Sequence, residues 1–198
     1  MTIMITILII VIPNTVREHT EKSSLNTAIT YLDKFKLLRA YYTDNIVKKV
    51  LLNSDITTSY DHFNTQDKIP LPATMIHDLS NLYEKKGTTF SLYSAYPFPN
   101  RNDRQLDAFQ LQAWRDLQKN PNKIVKKIVS NNKQVMLRVA ISDQMQVQAC
   151  VDCHNNHALT PKNDWKLGDV RGVLETKLDI TSQLDLASTL SMYIISGI

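Results

Sequence analysis

QVMLRVAISDQMQVQACVDCHNNH, Gln134 to His157, joins a strongly alternating run to both cysteines of the chain. In its first part Val135, Leu137, Val139 and Ile141 alternate with Met136, Arg138 and Ala140. A period of two is the signature of a strand with one face turned to a core. The run before it, KIVKKIV (123–129), and the turn SNNK (130–133) complete a β-hairpin. Further on, GDVRGVLETKLDI (168–180) alternates again, with Val170, Leu174, Leu178 and Ile180 on one face and Arg171, Glu175, Lys177 and Asp179 on the other. The cysteine segment therefore reads as a loop inserted between two strands of one antiparallel sheet.

Helices are expected around that sheet. No Gly or Pro occurs from Asn14 to Leu52, and Leu25, Ala28, Ile29, Leu32, Phe35, Leu38, Tyr42, Ile46 and Val50 recur in steps of three and four. Those steps predict one long amphipathic helix. After a polar stretch (53–68), Pro72 and Gly87 bracket a second helix whose apolar stripe is Met75, Ile76, Leu79, Leu82 and Tyr83. His77 points away from that stripe. TTFSLYSAYPFPN (88–100) reads as a strand, and Asp103 to Lys119 as a helix closed by Asn120-Pro121. The fold class expected is α+β, an antiparallel sheet with a long N-terminal helix and flanking helices.

The chain has 198 residues, 43% hydrophobic and 21% charged, which suits a folded domain with a core of its own. Its net charge of +4 is scattered, without a basic stripe carrying interleaved aromatics, so nucleic acid is not an expected partner. No Ser-His-Asp set, phosphate-binding loop or paired-carboxylate signature stands out, and no catalytic residue is assigned. Both ends are apolar: MTIMITILIIVI (1–12) and LASTLSMYIISGI (186–198). The expectation is a clipped transmembrane or signal segment over 1–12, the folded domain itself over 13–185, and the start of a second transmembrane helix over 186–198. The first segment is shorter than the roughly 20 residues that span a bilayer.

Cys150-Val151-Asp152-Cys153-His154 is the C-x-x-C-H pattern of covalent haem attachment. Two thiols at that spacing can reach the two vinyl groups of one porphyrin, and His154 then lies beneath the iron as proximal ligand. A zinc site and a redox dithiol are the rivals. Structural zinc sites draw their ligand pairs from separate segments, whereas Cys150, Cys153, His154 and His157 are crowded into one. A redox C-x-x-C opens a helix in a βαβ setting, not between antiparallel strands. One covalent haem c is the cofactor expected. For the opposite face of the iron, His77 leads His62, His157, Met75, Met136 and Met145. For the haem propionates, Arg138 and Arg171 lead Arg101 and Arg104, since guanidinium groups suit any carboxylate. Trp165 and Tyr96 are candidates for the pocket wall.

From about Tyr41 to Glu175 the sequence resembles the c-type-haem, PAS-like sensor domains that precede histidine kinases, chemoreceptors and nucleotide cyclases. The resemblance is carried by IPLPATMIHDLS, SLYSAYPFPNR, LDAFQLQAW, LRVAISDQM, ACVDCHNNH and PKNDWKLGDVRGVLE. It implies a PAS-like fold, a membrane-anchored protein with its sensor domain on the extracytoplasmic (periplasmic) side, and detection of redox state or a small gaseous ligand at the haem. It implies no enzyme activity within these residues, any transmitter lying beyond residue 198. In that family a thiolate from the N-terminal part can be the distal ligand, and this chain has no third cysteine to supply one. A monohaem electron-transfer domain is the alternative function. The long N-terminal helix also permits a homodimer.

Overall fold

The computed structural model describes residues 2–131 and 133–197, with side chains from Ile9 onward. Met1, Ile198 and Asn132 of the expected hairpin turn lie outside the described residues. Helix α1 (Thr2–Tyr42) runs through a π-turn at Thr43–Val47 into the short α2 (Lys48–Asn53). A small parallel pair follows, β1 (Thr57–Ser59) with β2 (Lys68–Pro70), then α3 (Pro72–Glu84). The main body contains β3 (Thr88–Tyr93), α4 (Ala108–Lys119), β4 (Val125–Ser130), β5 (Val135–Gln144), α5 (Gln148–Asn156), β6 (Val170–Asp179) and α6 (Thr181–Ser196). Its four strands form one antiparallel sheet in the order β3-β6-β5-β4. The α+β class is as the sequence predicts.

Both faces of the sheet are covered. On one, Leu137, Val139, Leu174 and Phe90 meet Ala28, Leu32 and Phe35 of α1, Ile76 of α3 and Ile180 at the head of α6. On the other, Ala140, Val173 and Tyr93 meet Phe109, Ala113 and Leu117 of α4. Burial on both sides explains a departure from expectation at Glu175. Its alternation marks it as solvent-facing, yet it is fully buried under α4. Arg138 pairs with it at 2.7 Å, reaches Asp107 at 2.8 Å, and lies over the Phe109 ring at 4.4 Å.

Asp107 also decides where α4 begins. It accepts from the Gln110 N–H while Gln110 Oε1 accepts from the Asp107 N–H, a reciprocal capping box. The helix accordingly starts at Ala108 and not at Asp103. The strand expected over 88–100 ends at Tyr93, and Pro99–Arg101 form a 3₁₀ turn.

In α1 the predicted stripe holds from Leu25 to Phe35 and then slips. Leu38 is already exposed before the π-turn; within it Ile46 is exposed while Val47 is buried, because the π-turn adds a residue to its turn and rotates the apolar face. The helix also extends through Pro13, back to Thr2. On α3, Leu82 and Tyr83 of the expected stripe are exposed; Thr74, Ile76 and Ser80 are the buried positions. Ser80 Oγ accepts from the Phe90 N–H at 2.8 Å, tying α3 to β3. The stop at Gly87 is as expected: it has φ +74°, a conformation that glycine adopts without strain.

Helix α6 starts against the core through Leu184 and continues along α1 with Ala187 and Ser191 buried. On α1 a half-buried line, Ile12, Val16, Thr20 and buried Ser24, extends from the core towards the N-terminus. The two helices therefore lie antiparallel, and both apolar ends point the same way. Among the described residues no helix is long and apolar enough to cross a membrane.

The Arg138–Glu175 pair gives a direct test of the fold. Replacing Arg138 by Met should destabilise the protein by about 3–5 kcal/mol in urea unfolding, since it strands a buried carboxylate. Adding Glu175→Leu should recover most of that loss. Equal stability of wild type and Arg138→Met would show that the pair does not hold α4 to the sheet.

Candidate functional site

The cysteine segment is a helix, α5, and not the loop expected between strands. A β-bulge at Asp143/Gln144 ends the regular β5–β6 pairing just before it. Met145, Val151 and Trp165 then form a small buried cluster beneath the helix, with Cys150 half-buried against it. Asn155 closes the excursion: its amide donates to the Trp165 carbonyl and accepts from the Trp165 N–H, both at 2.9 Å. The chain thus leaves and rejoins the sheet at one edge.

Helical geometry gives the motif its direction. Positions i, i+3 and i+4 lie within about 100° of arc, so Cys150, Cys153 and His154 project from one side of α5. Both cysteines are free thiols, Cys153 exposed. Although its residue is exposed, partial desolvation by the surrounding side chains, and then the neighbouring Cys150, push the Cys153 thiol up. A redox-active dithiol needs a lowered thiol instead. Among the described residues no three His, Cys, Asp or Glu side chains converge as a metal site.

His154 is half-buried and ordered by its neighbours. Arg171 Nε donates to its Nδ1 at 3.2 Å, and the Phe98 ring lies 5.7 Å away. Arg171 in turn stands over Phe98 at 5.6 Å and over Trp165 at 5.3 Å. Tyr96 meets Trp165 edge-on at 5.6 Å, and Trp165 itself is buried in the cluster beneath α5. Burial first, then the Arg171 charge, hold His154 down to about 4.

The other sequence candidates are dispersed. Arg138 is five residues along β5 from Asp143, roughly 17 Å at strand rise, and its guanidinium is committed to Glu175 and Asp107. It is a fold-holding residue, and of the two leading arginines only Arg171 is at the motif. His77 sits on α3 and is held down to about 3 by burial and by the charges of Arg101 and Arg104. No hydrogen bond or ring contact joins it to His154 among the described residues, although the loop carrying Arg101 also carries Phe98. His62 pairs with Asp78 at 2.9 Å and stacks on Phe63. His157 meets the Phe98 ring edge-on at 5.0 Å and accepts from the Leu159 N–H. Met145 is core beneath α5, Met75 packs against the main core, and Met136 is half-buried in β5.

Two site residues escape a reading by motif, Arg39 and Asp143. Arg39 of α1 makes a two-pronged ion pair with Asp143, and its charge bears on Cys150 and His154. Neither stands out in sequence: Arg39 is one of several charged residues in the second half of α1, beside Asp33, Lys34 and Lys36, and Asp143 is an aspartate near the end of a strand.

Acid should loosen the unliganded fold through its histidines. His77 and His154 stay neutral when folded but take up protons near their ordinary 6.5 once unfolded. Their contribution is therefore complete above pH 6.5 and declines as the pH falls towards about 4 and about 3. Urea midpoints should drop across that window, less steeply in His77→Gln. An identical slope in wild type and variant would exclude His77 as a source.

Comparison with known proteins places the chain among relatives. The Tll0287-like family model, Tll0287, matches residues 17–178, and the chain belongs to that family. The solved structure of the cyanobacterial heme-protein Tll0287 is 16% identical, with a TM-score of 0.45, over 80% of this chain and 94% of its own. No curated protein matches the sequence.

Proposed function

We propose, with membership of the Tll0287-like family as the premise, that this chain is a c-type haem domain that senses redox state or a small ligand on the outer side of a membrane. The observation that carries the proposal is the donor set on α5: two free thiols and an imidazole at i, i+3 and i+4 on one helical side. The protein for which the family is named is described as a heme-protein.

The residues present fit such a group. Cys150 and Cys153 would each add S–H across one vinyl double bond, which forms a carbon–sulfur bond and needs no oxidant. His154 would hold the iron, and Arg171 stands beside it with a charge suited to a propionate. Phe98, Tyr96 and Trp165 supply apolar wall, which limits water near the site and so strengthens charge effects there. Bound haem would supply one-electron redox chemistry and an axial position for ligands. His77 remains the distal-ligand proposal, a neutral imidazole held unprotonated by its surroundings.

The reading as a membrane-tethered sensor, organised as a PAS-like domain, draws on α1 and α6. They run together from the core towards one end, and the apolar stretch of each helix lies towards that end. A sensor that must pass a signal across a membrane suits paired entry and exit helices, while an electron carrier needs one anchor.

Made with a cytochrome c maturation system, the protein should retain haem through acidified-organic extraction. Cys150→Ala with Cys153→Ala should release it, and His154→Ala should alter the ligand-field spectrum. A colourless protein carrying stoichiometric zinc would sink the proposal.

A further inference from the structure

Arg39 and Asp143 stand apart from the fold's other charged pairs because they join the longest helix to the edge of the functional site. Asp143 is buried at the bulge that ends β5, five residues before α5 begins at Gln148. Its pairing partner on β6 is Gly172, and that glycine is required. A Cβ at Gly172 would stand 2.9 Å from the Tyr93 carbonyl oxygen and 3.7 Å from Asp143 Oδ2. Arg39 donates through Nη1 to Asp143 Oδ2 at 3.1 Å and through Nη2 to Oδ1.

The same carboxylate attracts a second arginine. The charge of Asp143 acts on Arg171, whose Nε donates to His154. His154, Arg171, Asp143 and Arg39 thus form one chain of interacting groups from the motif to α1. Asp143 answers two arginines, so it does not neutralise them, and a positive excess remains beside His154. On its far side, Arg39 lies one turn before the π-turn Thr43–Val47. A π-turn holds extra backbone that a helix can take up by shifting register, and such turns recur at functional sites.

We propose that Arg39 is a positioning residue which, through Asp143, raises the reduction potential of an iron held by His154 and passes a change of iron charge to α1. This rests on the haem reading above. A cation beside the centre favours the reduced state, which carries one positive charge fewer. When the iron charge changes, the balance of Asp143 between Arg171 and Arg39 changes with it. The second half of α1, packed along α6 by its first half, becomes an outlet for the signal in addition to β6, the covalent route from the motif to α6. Helix shifts of this kind are a common element of switching.

The haem-loaded protein carrying Arg39→Gln should have a lower midpoint potential, the ferric-to-ferrous ratio at a fixed solution potential rising about tenfold. The loss has two parts, the missing cation and the uncovered Asp143. Arg39→Lys should stay near wild type, and Arg39→Gln with Asp143→Asn should return most of the way. Hydrogen exchange should differ between ferric and ferrous protein over residues 36–50, and this difference should vanish in Arg39→Gln. An unchanged potential in Arg39→Gln, or redox-dependent exchange confined to β6, would overturn the proposal. A double-mutant cycle on the haem-free protein separates it from the haem reading. Arg39→Gln and Arg171→Gln should be non-additive in unfolding free energy because they share Asp143, and additivity would also overturn it. A protein that never takes up haem counts against the functional reading and leaves that cycle to decide the shared carboxylate.

Discussion

The antiparallel ladder between β5 and β6 is the constraint from which the rest of this structure follows. It aligns Met136 with Asp179 at one end and Asp143 with Gly172 at the other. Whatever lies between the strands must leave and return at a single edge. That requirement brings Arg171, the second residue of β6, against His154 of the excursion. It also sets the two ladder ends apart in role: α6 departs from one, and α5 is mounted at the other.

A sheet covered on both faces has no solvent side on which to leave charges. Glu175 is held under α4 only because Arg138 and Gln110 meet its oxygens and Asp107 takes the rest of the guanidinium. Asp143 is held under α1 in the same manner by Arg39. Each pair links a helix to the sheet with directional bonds that apolar packing does not provide. A buried ion pair adds little net stability against its desolvation cost, yet breaking one is expensive. These pairs consequently specify which surface each helix docks on more than they strengthen the docking.

The surroundings of the motif suit attachment and tuning better than thiol chemistry. The Cys153 thiol is pushed up by partial desolvation and by Cys150. The nearby cations are turned to the histidine: Arg171 is hydrogen-bonded to it, with Arg39 acting from further off. An iron centre on that imidazole would sit beside a net positive field, with aromatic side chains limiting the screening. The proposed reading of a haem domain draws on this arrangement, in which the charge state of a centre on His154 would matter to its neighbours.

Local pattern alone predicted much of this molecule. The period-two runs at Val135–Ile141 and Val170–Ile180, the Pro72 and Gly87 bracket, and the C-x-x-C-H motif each express a constraint acting within a few residues. Strand alternation, turn conformation and the reach of neighbouring thiols are such constraints. Tertiary structure alone decided matters that depend on what comes from far along the chain. Arg138 and Arg171 look equivalent in sequence, yet Glu175 of β6 and Asp107 at the cap of α4 claim the first, and His154 of α5 claims the second. Glu175 looks solvent-facing until α4 covers it. The role of Arg39 depends on Asp143, 104 residues away. The slip from Ile46 to Val47 depends on a π-turn that no helical periodicity anticipates. The direction in which a charged side chain is useful is set by the charge it meets, and that meeting exists only after the sheet and its helices have assembled.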